Sequence, residues 1–279
     1  MPSAKPITSA ANPRIKSAVK LRRSRDRKRS GLFLAEGTRE VSRAITAGLG
    51  VVEVFYSPDL MNEHEVRTAL SGLGESAQVF TVTEPLLKML AYRDEPEGLI
   101  AVVKQPTWAL KDLPVPEVQA NGGGASLYLI AVGTQKPGNL GAMVRTAQAA
   151  GCRAVLACGT PVDAFNPNAI RASTCAVYTL PVVSLTDQQA VAYLRDQVIR
   201  IAATTPQAAD TTRYTDADLT GPLAVVIGPE DHGLSDTWLN AADQRLSIPT
   251  LGRTVDSLNA ANAAAVVLFE AVRQRVAST

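Results

Sequence analysis

Cysteine and histidine are scarce. Cys152, Cys158 and Cys175 make an odd count without a C-x-x-C spacing. That argues against a disulfide or zinc framework and fits a reducing, cytoplasmic setting. The only histidines, His64 and His232, are too few for a histidine-built metal site, so no metal is expected. No apolar run approaches the roughly 18 residues that span a bilayer, so no membrane partner is expected. The opening M-P-S-A-K-P-I-T-S-A-A-N-P-R has no apolar signal core, which speaks against secretion.

Nucleotide-binding fingerprints are missing too. Gly133-T-Q-K-P-G-N-L-G follows an apolar strand, where G-x-G-x-x-G would indicate a dinucleotide. The glycines fall at 133, 138, 141 and 151 instead. Gly133 and Gly138 have P-loop separation, but Asn139 and Leu140 stand where lysine and a hydroxyl residue belong. G-x-S-x-G is also absent, so a serine-hydrolase elbow has no support.

What is present is an ample core, 46% hydrophobic with 19% charged residues, in a chain of 279 residues. That length suits one large or two ordinary domains. Net charge is only +2 but unevenly spread, since residues 1–105 hold 16 of the 28 Lys and Arg and 12 of the 26 Asp and Glu. Most of the excess lies in Arg14-I-K-S-A-V-K-L-R-R-S-R-D-R-K-R29. Arg14, Lys16, Lys20, Arg22, Arg23, Arg25, Arg27, Lys28 and Arg29 share that stretch with one acid, Asp26. Such a block binds polyanions by displacing counterions from phosphates; the alternative is a solvated helix face.

Residues 1–105 alternate short apolar runs with helical periodicity and read as a small α/β domain. Residues 106–125 contain prolines and Gly122-Gly123-Gly124 and read as a linker. Residues 126–279 alternate strictly. Strands are expected at 127–132, 154–157, 177–182, 199–204, 223–227 and 245–248. Helices are expected at 140–150, 168–173, 187–198, 235–242 and 257–276. This is the pattern of a parallel sheet covered on both faces, with its ligand beyond the carboxyl ends of the strands. The loops after Val132, Thr204, Ile227 and Ile248 are then the functional ones. Ser257, Asn259 and Asn262 open the last helix, either facing such a pocket or only capping the helix. Arg145, on an otherwise apolar helix, needs an anionic or carbonyl partner; an internal salt bridge is the alternative.

Three blocks resemble the SpoU/TrmH family of SPOUT methyltransferases, in the family's order. They are K-P-G-N-L-G-A-M-V-R-T-A-Q-A-A-G (136–151), V-V-I-G-P-E-D-H-G-L (225–234) and L-S-I-P-T-L-G-R-T-V-D-S-L-N-A-A-N-A-A (246–264). I-T-S-A-A-N-P-R-I-K, L-F-L-A-E-G-T-R-E-V and P-E-G-L-I-A-V-V are similar to the ribosomal-protein-like substrate-binding domain of the ribosomal-RNA branch. The resemblance implies an α/β protein with a C-terminal parallel-sheet SPOUT domain, threaded into a trefoil knot, behind a small α/β RNA-binding domain. It implies S-adenosylmethionine-dependent methylation of a ribose 2′-hydroxyl in RNA, favouring ribosomal over transfer RNA, by a homodimer. It places Asn139, Arg145, Glu230, Ser257 and Asn259 in catalysis. Thr204, Thr205, Gly228, Pro229, Glu230, Gly233, Ile248 and Leu258 would hold the cofactor. One departure is that the third motif more often runs S-L-N-V-S, so a hydroxyl is missing at Ala261. A non-catalytic RNA-binding protein with the same fold is the reading from another class. The stripe Leu258, Ala261, Ala265, Leu268 and Val272 would be core or dimer contact.

Overall fold

The computed structural model describes residues 4–113, 126–159, 163–206, 208–252 and 257–277. Most of the expected linker, from residue 114 to 125, lies outside them. The chain forms two compact units. The first comprises 1–107 together with 165–179; the second comprises 108–164 and 180–279.

The first unit runs β1 (Lys5–Ile7), α1 (Pro13–Lys20), α2 (Ser24–Ser30), β2 (Leu32–Glu36), α3 (Thr38–Thr46), β3 (Val51–Tyr56), α4 (Glu63–Ala69), β4 (Gln78–Val82), α5 (Glu84–Leu90) and β5 (Leu99–Lys104). The Asn12 side chain accepts from the Arg14 amide at 2.9 Å and starts α1. Asn62 and Glu65 close a reciprocal capping box on α4. The strands order as β1-β4-β3-β5-β2, with β5 antiparallel to both neighbours. Ile15, Leu87, Leu90, Phe55 and Ile100 fill one face.

The second half of the chain continues with β6 (Leu127–Val132), α6 (Pro137–Ala149), β7 (Ala154–Cys158), α7 (Pro167–Ala172), β8 (Val182–Leu185), α8 (Asp187–Asp196), β9 (Arg200–Thr204), β10 (Thr212–Arg213), β11 (Leu223–Ile227), α9 (Asp236–Ala241), β12 (Gln244–Ser247) and α10 (Ala260–Ala277). All strand pairs of its sheet are parallel, in the order β10-β12-β9-β11-β6-β7-β8. The central strands β6 and β11 are buried along their whole length, which is why they read as unbroken apolar runs.

One expected strand is corrected. Residues 177–182 do not form a strand; Ala176–Tyr178 is a 3-10 turn and the strand starts at Val182. Thr174 and Cys175 before it take positive φ, 48° and 69°. The reason is tertiary: α7 and the turn belong to the first unit, where Phe165 and Tyr178 pack as tilted rings against Phe33, with centroids at 4.9 and 5.4 Å. The last helix also starts later than expected, at Ala260, so Ser257, Leu258 and Asn259 precede it. Of its expected stripe, Ala261 and Leu268 are buried, Ala265 and Val272 half-buried, and Leu258 exposed.

Candidate active site

Strands β12, β9, β11 and β6 are consecutive neighbours in the second sheet, and all are parallel. The loops that leave their carboxyl ends therefore share one edge. The Thr204 hydroxyl donates to the Val226 carbonyl at 2.8 Å, tying β9 to β11. The Thr205 amide donates to the Leu246 carbonyl at 2.8 Å, tying β9 to β12.

Two glycines let these loops approach. A Cβ on Gly228 would stand 3.0 Å from Leu234 Cγ and 3.1 Å from the Gly233 carbonyl carbon. Gly133 has φ +61°, and a Cβ there would meet Pro229 Cγ at 3.3 Å. Gly133 was not singled out from the sequence as a site residue. Its signal was a glycine directly after a buried strand.

The three sequence blocks meet on one oxygen. Glu230 Oε1 accepts from Asn139 Nδ2 at 3.1 Å, Asn259 Nδ2 at 2.7 Å and the Ala260 amide at 3.2 Å. Asn259 Nδ2 also lies 3.4 Å from Asn139 Oδ1. Asn259 Oδ1 accepts from the Ala261 amide at 2.9 Å. Asn259 thus caps α10 and joins the cluster at once. Glu230 places its charge at the N-terminus of an 18-residue helix, where amide dipoles favour an anion.

Arg145 is placed otherwise than expected. It is exposed, and among the described residues its side chain has no hydrogen bond or ion pair. The buried face of α6 is Leu140, Gly141, Met143, Val144 and Ala147, the i, i+3, i+4, i+7 stripe. Position 145 lies off that stripe, and among the described residues its side chain makes neither an internal salt bridge nor a bond to Asn139. Ser257 and Leu258 are exposed, while Gly228, Pro229, Gly233, Ile248 and Thr205 are half-buried. His232 pairs with Asp231 at 2.6 Å, both facing solvent. Cys158, at the end of β7, is no nucleophile: burial, then the nearby Asp187 charge, pushes its thiol up to about 12.

In the first unit the basic run is split between α1 and α2. Lys16, Lys20, Arg22, Arg23, Arg25, Lys28 and Arg29 are exposed. Arg27 is not part of that surface. It is 1% exposed and donates to the Leu21 carbonyl at 2.7 Å, closing the turn between the two helices. Arg14 pairs with Glu53 and lies over the Phe80 ring, 4.9 Å from its centroid. Arg29 bonds Asp26 at 2.9 Å. Among the described residues no group of His, Cys, Asp and Glu could hold a metal ion, and no helix is long and apolar enough to cross a membrane.

A family model described as the SpoU rRNA Methylase family matches residues 126–269, and one described as an MRM3-like substrate binding domain matches 12–101. The chain is 32% identical to a 23S rRNA (uridine(2479)-2′-O)-methyltransferase of Streptomyces viridochromogenes, over 99% of this chain and 94% of that one. It resembles the crystal structure of an AdoMet-bound rRNA methyltransferase from Sinorhizobium meliloti with a TM-score of 0.85 at 27% identity, covering 97% of this chain and 98% of that one. A crystal structure of an RNA 2′-O ribose methyltransferase aligns with a TM-score of 0.79 at 38% identity, covering 97% and 99%.

Proposed function

Since this chain belongs to the SpoU rRNA methylase family, we infer from its site how it transfers a methyl group from S-adenosylmethionine to a ribose 2′-hydroxyl of ribosomal RNA. One observation carries the assignment: residues 139, 230 and 259, from three separate blocks, share the Glu230 carboxylate.

The cofactor supplies an electrophilic methyl on a sulfonium and needs no metal to do so. Thr204, Thr205, Gly228, Pro229, Glu230, Gly233, Ile248 and Leu258 would hold it. This set contains one carboxylate and no cation, which suits a positively charged ligand. Gly228 leaves bare backbone where a side chain has no room.

The acceptor hydroxyl has to be held in line and relieved of its proton. Arg145 takes that side of the site. With no carboxylate on it among the described residues, its guanidinium is open to the ribose oxygen and an adjacent phosphate. A guanidinium keeps its charge at neutral pH, so it orients the hydroxyl and stabilises the developing alkoxide, with the proton passing to phosphate or water. Asn139 and Asn259 fix Glu230 and thereby the loop of residues 228–235. Ser257 lies beside Asn259 as a further donor to substrate. Asn262, exposed on the first turn of α10, stands next to the hydroxyl missing at Ala261.

The enzyme acts in the cytoplasm as a homodimer, in which a second copy covers Phe269 and Val276, the exposed apolar residues of α10. Sedimentation reads that mass, and a monomer at working concentration would count against it. Mapping 2′-O-methyl groups on total RNA with and without the protein tests the activity; no changed site in ribosomal RNA overturns it. Arg145→Ala and Arg145→Lys should lower kcat by about 100-fold with the melting temperature unchanged. Near wild-type kcat in either would remove Arg145 from the mechanism.

A further inference from the structure

The first unit carries a surface that methyl transfer leaves unused. Tyr92 follows α5 and is 39% exposed, yet it is held at both ends. Its amide donates to Glu36 Oε2 at 2.8 Å, and the next amide, of Arg93, to Glu36 Oε1 at 3.2 Å. Its hydroxyl accepts from Asn168 Nδ2 at 3.3 Å, and Arg171 Nη2 donates to Asn168 Oδ1 at 2.8 Å. Tyr92, Arg93 and Arg171 line one cavity with Leu34, Pro167, Ile170 and the carboxylates Glu36 and Glu40, both of which are already taken by donors of this unit.

The charges around the ring differ in role. Arg93 is neutralised by the buried Glu40, at 3.2 Å, and by Glu97. Arg171 has no carboxylate among its described partners and is exposed. At the end of α5, Arg22 Nη1 donates to the Met89 carbonyl at 3.5 Å, and Met89, 44% exposed, stands three residues before Tyr92; Asp94, Glu95 and Glu97, which follow the ring, are exposed. An exposed arginine joined through Asn168 to an immobilised, solvent-facing aromatic ring is an arrangement that binds unpaired nucleotides. A phosphate meets the arginine and a base stacks on the ring. Because the ring is already fixed, stacking costs little rotamer freedom.

We propose that Tyr92 is a stacking platform for an unpaired base of the substrate RNA, with Arg171 meeting the flanking phosphate. This rests on the RNA reading above and adds a site outside the methyl-transfer centre. The test uses the full chain and a short single-stranded RNA carrying one 2-aminopurine, whose fluorescence is quenched on stacking. Wild type and Tyr92→Phe should both bind and quench, with Tyr92→Phe binding slightly more weakly because the anchor to Asn168 is lost. Tyr92→Ala should lose the quench and bind about tenfold more weakly. Its log Kd against log salt should keep the wild-type slope, since no phosphate contact is removed. Tyr92→Leu keeps apolar bulk and guards against a folding defect; it should also lose the quench. Wild-type binding and quench in both Tyr92→Ala and Tyr92→Leu overturns the platform. Methylation of ribosomal RNA by wild type is measured alongside. Methylation with unchanged variant binding defeats the platform alone, and loss of binding without any wild-type methylation defeats the activity alone.

Discussion

Glu230 is exposed, but its Oε1 atom takes three donors. A solvent-facing carboxylate is seldom so constrained, and the constraint comes from residues 91 and 29 positions away in sequence. Asn139, Glu230 and Asn259 were legible in the sequence because each matches one of the three motifs that resemble the family's. Sequence reading could not find that they converge, which depends on strand order. Arg145 and Arg27 went the opposite way. The alanines of α6 made the helix look apolar all round, though the buried stripe alone fixes Arg145 to solvent. Arg27 sits in a dense basic run, and its burial arises from the turn between α1 and α2, which composition does not reveal. The cysteines give a prediction at this scale. Burial holds the Cys152 and Cys158 thiols at about 12 and Cys175 at about 11. At pH 8 the native protein should therefore resist iodoacetamide, while the urea-unfolded chain labels at all three. A raised acid pKa favours the folded state only while the thiol stays neutral in both states. Stability should thus fall as pH rises from about 9, where unfolded thiols ionise, towards about 12. Rapid native labelling at pH 8 would contradict this burial.

At the scale of elements, the strands β6, β9 and β11 and the helices α6 and α8 were legible within a few residues, because apolar runs and caps are local signals. β1 and β10, of three and two residues, were not, since they are strands only by pairing with β4 and β12. The loop of residues 228–235 is the element whose shape matters most. Its entry is pinched at Gly228, its middle is tied by Glu230, and its exit is held where Ser235 Oγ donates to Asp187 Oδ2 at 3.3 Å. Gly228→Ala places a methyl against Leu234 and Gly233, so the loop has to shift. Calorimetry should show S-adenosylmethionine binding weakened by about tenfold, roughly the effect of one misplaced packing contact. Gly138→Ala is the control. A Cβ there meets nothing within 4 Å, and alanine suits a helix better, so affinity should hold. Equal affinity in both variants would show that the loop tolerates the methyl.

For the whole molecule, the telling segment is 165–179. It is flanked in sequence by β7 and β8 of the second unit and packs in the first. Phe33 is fully buried, with Phe165 and Tyr178 among its neighbours. A fragment of residues 1–107 should therefore expose Phe33 and unfold without cooperativity, whereas 1–107 joined through a short linker to 165–179 should melt in one transition. A sharp transition in the bare fragment would mean that the segment contributes little. The same segment sets a clock on synthesis. Residue 107 leaves the ribosome well before residue 179, and at roughly 5–20 residues per second the interval lasts several seconds. Through that interval the first unit waits with an aromatic face uncovered, so its maturation is bound to the making of the strands β6 and β7 that precede the segment. A nascent chain stalled before residue 165 would be the form that chaperones meet.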